Sequence, residues 1–538
     1  MILLIPIGLL LIASLAIFIL FNLRPKYGTS WLIAAIASIL AWLTIFYLRL
    51  RLPTTLEILS WGGSTSQLWG DFSLLLDYDS WPYSLALITI TLAVIFTDAA
   101  RTRYDSTPKS WSASLAIAAL GLVAIQSGTS MMLIITWAIV DILELIYLLG
   151  LAEDTQFNHR IVIAFGVRII SIIMLSLATA INWQLVGTTD LTSIAPGAGF
   201  LFLLGAGFRL GVFPLNLPML QEPSLRRGTG NILRMAPIAA SLGLLARLPE
   251  GIITPNLSGL LPLFHALLAI AALYGAFRWV TSQSAVAGRP YWIITWAALA
   301  AESVINGAAG ESLAWGVALL LSGSLLFLYY PRIQRMNFLL HFGLIGMIGL
   351  PYTPAASGWF GLTANGLTFW TFLYLLAHAM MVMGYLKFTL EPGGETSVLE
   401  SWARLVYPLG LIIIIQAIIT SGLIGWPGSL ILGVWWLPIL SILIIFGAFY
   451  LIRTAGFDTA NIKLPSSSGF TKVLNWILPR LEPVFRLEWV YRLIWRIVAA
   501  LSRILKIFSV IIEGEGGILW TILLLVLLIS LLSSAVGN

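Results

Sequence analysis

The chain has 538 residues, of which 59% are hydrophobic and only 10% charged, with 4 histidines, no cysteine and a formal charge of +6. Soluble domains carry about 25% charged residues, so a water-soluble globule is excluded, as are a disordered chain, collagen and a disulfide scaffold. The lack of cysteine removes thiolate chemistry, Cys-ligated zinc and Cys-ligated iron–sulfur clusters.

A bilayer core about 30 Å thick requires roughly 20 apolar residues per helix. Along the chain, spans are expected near 2–21, 30–48, 81–100, 111–127, 130–151, 160–181, 197–216, 230–247, 258–280, 290–310, 312–330, 336–351, 366–388, 402–423, 428–452 and 517–535. The sequence thus predicts an all-α integral membrane protein with about sixteen transmembrane helices and no strands. The first apolar run has no basic stretch before it and no small-residue cleavage motif after it, so it reads as a span rather than a signal peptide.

The basic residues test this map. With the N-terminus outside, the outer loops hold only Arg49, Arg51 and Arg247, and three arginines fall inside spans: Arg168, Arg209 and Arg234. The remainder of the 29 Lys and Arg residues lie on the cytoplasmic side. This asymmetry predicts a multi-pass protein of a prokaryotic-type plasma (inner) membrane with both termini outside.

Residues 472–512 break the span pattern. They carry seven basic and two acidic residues, which accounts for most of the net charge. Glu488, Arg492, Arg496, Arg503 and Lys506 fall on one helical face, and the rest of the circumference is mostly apolar. The pattern is that of a lateral amphipathic helix at the cytoplasmic interface, about 43 Å long over 484–512. It lies either on lipid alone or across neighbouring spans and subunits, and it suits anionic headgroups or acidic partners.

Two spans are interrupted by Gly and Pro: one at Gly211, Pro214 and Pro218, the other at Pro351, Pro354 and Gly358. The interrupted spans are five apart, which is the sequence signature of inverted repeats with broken helices, although prolines at span ends also fit. The organisation read from this is spans 1–3 in 1–110, a first five-helix repeat in 111–250, and a second inverted repeat in 255–390. Spans 14–15 follow in 400–455, then the lateral helix and last span in 465–538.

Intramembrane charge is costly and is a functional candidate by default. Asp141 and Glu144 lie mid-span on one helical face; Arg168, Arg209 and Glu302 also lie within spans, and His265, His341 and His378 in or near them. A carboxylate facing an arginine is either a relay element or a structural pair, and a lone intramembrane histidine is more often a packing residue.

These residues carry a resemblance. Arg209-Leu210-Gly211-Val212-Phe213-Pro214-Leu215-Asn216 resembles the Lys-x-Ala-x-x-Pro-x-His motif of the antiporter-like subunits of proton-pumping NADH:quinone oxidoreductase (complex I), related to Mrp antiporters and membrane-bound hydrogenases. Gly349-Leu350-Pro351 through Ser357-Gly358-Trp359-Phe360-Gly361 resembles that family's Gly-Ile-Pro-Pro…Gly-Phe-x-Gly-Lys motif. Trp137, Asp141, Glu144 and Tyr147 look like its Trp-Glu…Tyr helix, and Phe165-Gly166-Val167-Arg168 is similar to the Asn-Arg segment of the L-type member. The span count and lateral helix also resemble that member.

The resemblance implies a polar axis of Asp141, Glu144, Arg168, Arg209, Asn216 and Glu302, with departures. The family's first motif lysine is Arg209, its motif histidine is Asn216, and the lysine closing the second motif is Leu362. The central relay histidine falls near Ala298, one turn from Glu302. Arginine is not deprotonated in proteins and cannot cycle as a relay lysine does.

Two roles follow from the resemblance: a membrane-arm subunit of a complex I-like NADH:quinone oxidoreductase that takes part in proton translocation, or one that is mainly structural. The alternative is a subunit of an Mrp-type antiporter or membrane-bound hydrogenase. The expected partners are other membrane subunits of a respiratory complex and the bilayer. No dinucleotide fingerprint or metal-ligand cluster is present, and the spread of basic residues gives no nucleic-acid footprint, so no catalytic site, cofactor, metal or nucleic-acid partner is expected.

Overall fold

The computed structural model describes residues 1–23, 29–59, 72–98, 107–150, 155–213, 215, 227–329, 336–390, 401–454, 496 and 526. The chain divides into two compact units, Met1–Pro465 and Ser466–Asn538. In the second unit only Arg496 and Val526 are described, each helical and exposed, so the lateral helix over 484–512 and the last span over 517–535 lie outside the described residues.

The first unit is built of sixteen described α-helices. They are α1 (Leu4–Leu23), α2 (Ser30–Leu48), α3 (Ser80–Asp98), α4 (Pro108–Ile125), α5 (Ser130–Leu149), α6 (Thr155–Val186), α7 (Pro196–Leu210) and α8 (Arg227–Ala246). They continue with α9 (Leu261–Val280), α10 (Ala285–Ile305), α11 (Ser312–Leu328), α12 (Asn337–Ile348), α13 (Ala356–Leu362), α14 (Phe369–Leu390), α15 (Ser401–Ile424) and α16 (Trp436–Thr454). Ten described helices are long and apolar enough to cross a membrane, and α7, α12 and part of α16 are shorter apolar helices. The chain is a multi-pass, all-α integral membrane protein.

Helices α3, α8, α10 and α11 are buried along nearly their whole length and form the centre. Their composition explains why. Helix α8 is rich in Gly, Ala and Ser, and small residues let helix backbones approach closely where no water drives association. A Cβ on Gly121 would come within 2.9 Å of Ala236 Cβ, so α4 and α8 meet at their smallest residues. The peripheral helices α1, α2, α6 and α14–α16 each keep an exposed apolar face.

Two expectations are corrected in detail. A strand pair, β1 (Thr54–Leu59) and β2 (Phe72–Leu76), forms an antiparallel hairpin between α2 and α3 where no strand was expected. Helix α16 begins at Trp436 rather than near residue 428. The stretch before it holds Pro427, which cannot supply a helical N–H, and Gly433, whose φ of 63° is left-handed.

Both interrupted spans end their first halves in the same way. Helix α7 stops at Leu210, followed by Gly211 with φ 78°; α12 stops at Ile348, followed by Gly349 with φ 81°. At the first stop the Val212 N–H donates to Gly207 O at 2.9 Å and the Gly211 N–H to Phe208 O at 3.3 Å. This is the Schellman pattern, which needs a left-handed residue after the helix and therefore favours glycine. Residues 349–355 are non-helical and α13 resumes at Ala356, so Pro351 and Pro354 lie in the second break, whereas Gly358 lies inside α13. Gly358 faces Trp315 too closely to admit a Cβ, which is a packing requirement and not a turn requirement. Pro214 and Pro218 lie outside the described residues.

One end of the bundle is tied by Arg247, just past α8. It donates to Ser127 O at 2.7 Å and pairs with Asp77 at 3.3 Å, joining the strand hairpin, the α4–α5 turn and α8. Burial raises Asp77, but Arg247 and the Ser80 hydroxyl and amide outweigh it and hold the carboxyl below its ordinary value of 3.8. Asp79 is pushed up to about 6 by burial and then by the Asp77 charge.

A carboxyl whose folded pKa is raised destabilises the fold once ionised, so stability should fall as pH rises through the window from 3.8 to about 6. Thermal melting of the detergent-solubilised protein should show a loss of about 1 kcal/mol between about pH 5 and pH 7.5. Asp79→Asn should remove that loss; a variant with the wild-type pH dependence would refute this origin.

Candidate functional site

The five charged residues of the first set come from four consecutive helices. Asp141 and Glu144 stand three apart on α5 and so share a face. Arg168 is on α6, Arg209 in the last turn of α7, and Arg234 on α8. All five are buried.

Their side chains form one connected centre. Arg209 donates to both oxygens of Asp141, Nη1 to Oδ2 at 2.8 Å and Nη2 to Oδ1 at 2.5 Å. Arg168 donates in a fork to Glu144, through Nη2 to Oε1 at 2.6 Å and through Nη1 to Oε2, and its Nη1 also reaches Asp141 Oδ1 at 3.5 Å. Arg234 donates through Nη1 to Glu144 Oε1. The Arg209 guanidinium lies 4.5 Å from the Trp137 ring centroid, one helical turn before Asp141. Planar guanidiniums match carboxylates in this paired geometry, which lysine cannot reproduce.

Sequence reading singles out four members of this centre, and the structure brings them together. It assigns no role to Arg234; its signal is an arginine inside an otherwise Gly- and Ala-rich span. Asn216 lies outside the described residues.

Glu302 belongs to a second group. Its Oε1 is 2.7 Å from His265 Nδ1 on α9, and Tyr374 on α14 donates its hydroxyl to Oε2 at 2.8 Å. His265 lies one turn into α9, Glu302 in the last turn of α10 and Tyr374 near the start of α14, so the group sits at one membrane end. Glu302 is buried and His265 slightly exposed. No feature of the sequence marks Tyr374 as its partner.

Around Ala298, where the resemblance places the central relay histidine, the structure holds indoles. Trp292, Trp296, Trp315 and Trp359 follow one another at 5.5, 5.7 and 5.4 Å between ring centroids. His378 packs against the last three at 5.7, 6.0 and 4.9 Å. Its Nε2 donates to Met347 O at 2.7 Å, a carbonyl at the C-terminal end of α12, and its Nδ1 accepts from the Ser441 hydroxyl at 2.8 Å. Both ring nitrogens are therefore used to tie α14 to α12 and α16. His341 is exposed on α12, on the face of Phe338, Phe342 and Ile345. Leu362 is buried at the end of α13. Among the described residues no group of three His, Asp or Glu side chains could hold a metal ion.

No protein-family model matches the sequence, and no curated protein matches it. Solved structures do. A chain of the membrane-bound sulfane sulfur reductase, an archaeal respiratory membrane complex, superposes with a TM-score of 0.66 at 15% identity, over 99% of this chain and 100% of that one. A chain of the Mrp complex from Dietzia sp. DQ12-45-1b gives 0.63 at 16% identity, over 95% of this chain and 62% of that one. A chain of respiratory complex I from Thermus thermophilus with bound NADH gives 0.62 at 16% identity, over 83% and 100%. The protein therefore shares the fold of these three chains of membrane complexes.

Removing one partner of a buried ion pair leaves a charge stranded and typically costs about 3–5 kcal/mol. Asp141→Asn should therefore lower the melting temperature sharply, and Asp141→Asn with Arg209→Leu should recover much of it. A single variant as stable as the double would show that the two side chains do not depend on each other.

Proposed function

We propose that this protein is an antiporter-like membrane subunit of a complex I-like respiratory assembly, of the NADH:quinone oxidoreductase kind, and that its role there is mainly structural. The observation that carries this reading is the paired clamping of Asp141 and Glu144 by Arg209, Arg168 and Arg234. A relay must pass between charged and neutral forms, and arginine does not. Protonating either carboxylate would strand guanidinium charge inside the membrane, where it is expensive. In this reading residues 111–250 and 255–390 are the two inverted repeats. Two features support the division: α4 packs on α8 as α9 packs on α14, and the fourth helix of each set stops at a left-handed glycine.

A second reading, a working half-channel in the second repeat, has one observation in its favour. Glu302, His265 and Tyr374 are all side chains that can exchange protons, and they are joined by hydrogen bonds. The same group would serve a cation/proton antiporter of the Mrp kind or a membrane-bound hydrogenase, so the partners decide between the complexes.

The test is to purify the tagged full chain with its partners, identify them by mass spectrometry, and reconstitute the assembly in proteoliposomes. Peripheral redox subunits should co-purify, and Glu302→Gln should leave the number of protons moved per electron unchanged. Loss of translocation at wild-type assembly and electron-transfer rate would overturn the structural reading in favour of the second. Capture of small antiporter subunits without redox partners would place the chain in an Mrp-type complex.

A further inference from the structure

A cleft of about 560 Å³ lies between α1, α4 and α5, on the side of α5 away from the charged centre. Its inner wall is the small residues Ala113 and Ala116 of α4, and Phe18 of α1 and Ile146 of α5 flank it. In its wall, Ser112 exchanges hydrogen bonds with Ser14, each hydroxyl donating to the other's carbonyl at 2.8 and 2.9 Å, which closes the α1–α4 contact and satisfies these two hydroxyls. The body of the cleft is thus apolar, while one end is not. Thr107 and Lys109 stand at that end, both exposed, at the start of α4.

Lys109 is the informative residue. Its ammonium lies 5.1 Å from the Phe21 ring centroid, and no carboxylate pairs with it among the described residues. Among the described residues no acidic side chain lines the cleft. In sequence, the basic Arg24, Lys26, Arg101 and Arg103 and the acidic Asp105, Glu153 and Asp154 flank the ends of α1, α4 and α5 beside Lys109, leaving a net basic excess there. An apolar slot running into the bilayer depth with a cation at its mouth matches an acyl chain below an anionic phosphate.

We propose that the α1–α4–α5 cleft is a binding site for an anionic phospholipid, with one acyl chain against Ala113 and Ala116 and its phosphate at Lys109. Attraction of an anionic headgroup by one basic side chain near the membrane surface is worth about a fivefold preference. A zwitterionic lipid of the same chain length fits the slot but lacks that attraction. A partner subunit's helix would need no anionic group and would shut lipid out.

The experiment uses the full chain with its partners in phosphatidylcholine vesicles carrying trace phosphatidylglycerol or phosphatidylcholine with a photoreactive diazirine on the acyl chain. The phosphatidylglycerol probe should label peptides spanning 107–117 and 143–150 about fivefold more than the phosphatidylcholine probe. Lys109→Gln should abolish that preference while keeping phosphatidylcholine labelling, and Ala116→Trp, which fills the slot, should abolish labelling by both. Ala113→Leu serves in place of Ala116→Trp if the latter melts early. Equal labelling of the wild type by both probes, a preference that survives Lys109→Gln, or labelling that survives the filled slot overturns the proposal. Absence of labelling in the assembly, with labelling of the isolated chain, overturns it in favour of a partner helix.

Discussion

The constraint on which the membrane-embedded part depends is the cost of burying five charged side chains inside a membrane-embedded helix bundle. A single Asp or Arg at a helix centre costs about 2.5–3.5 kcal/mol on insertion scales. Here each carboxylate oxygen accepts from a guanidinium, and the donors come from three further helices. The pairing therefore fixes more than charge. Rotating α5 by one residue would carry both Asp141 and Glu144 away from their donors, so the rotation of α5 is set against α6, α7 and α8 at once. Arg209 sits in the last turn of α7, two residues before Gly211. Where α7 stops is thus tied to where its arginine must reach.

The two halves meet the demand for a packed interior by different means. Around the first centre, helices approach through glycine and alanine, as at Gly121 and Ala236 and where the Ser171 hydroxyl donates to Gly205 O at 2.6 Å. In the second, the interior of α10, α11 and α13 is filled by indole rings in series, with glycine opposite Trp292 at Gly323 and opposite Trp315 at Gly358. Rings of this size need a flat partner surface, and glycine supplies it. The indoles pack around His378, whose two nitrogens are committed to Met347 and Ser441. A histidine whose donor and acceptor are both bound to the fold holds three helices together and has no nitrogen left for a shuttle.

Much of this was legible in the sequence. Hydropathy locates α1 through α12, α14 and α15 within about six residues, because a twenty-residue apolar stretch has few other uses, whereas the seven-residue α13 has no span of its own in the sequence reading; the glycine after each broken span marks its stop. The intramembrane acids and three of the arginines stand out for the same reason. What the sequence hides is partnership. Arg209 and Asp141 are 68 residues apart, and Arg234 and Glu144 are 90 apart; no local period links them. Tyr374 is one tyrosine among 16. The strand hairpin is short and its alternation is lost among apolar neighbours. Gly358 misleads because a glycine near a break reads as a turn, whereas here it makes room for Trp315.

Arginine rather than lysine at position 209 gives the first half its character. A lysine there would be a point charge on a flexible stem, able to lose its proton and move between partners. Arginine supplies two donors to one carboxylate and sits with its guanidinium 4.5 Å from the Trp137 ring centroid. Each feature that makes the pair stronger also makes it less able to cycle: the charge is permanent, the geometry is two-point, and the ring beneath restricts rotation. In Glu302, His265 and Tyr374 the second half keeps side chains that can exchange protons, one of them slightly exposed. Fixed, paired charge is thus concentrated in one half and a hydrogen-bonded Glu–His–Tyr group in the other, and tryptophans fill the interior around His378. A chain built this way carries permanent, paired charge across four helices of one half and a single hydrogen-bonded Glu–His–Tyr group at one membrane end of the other.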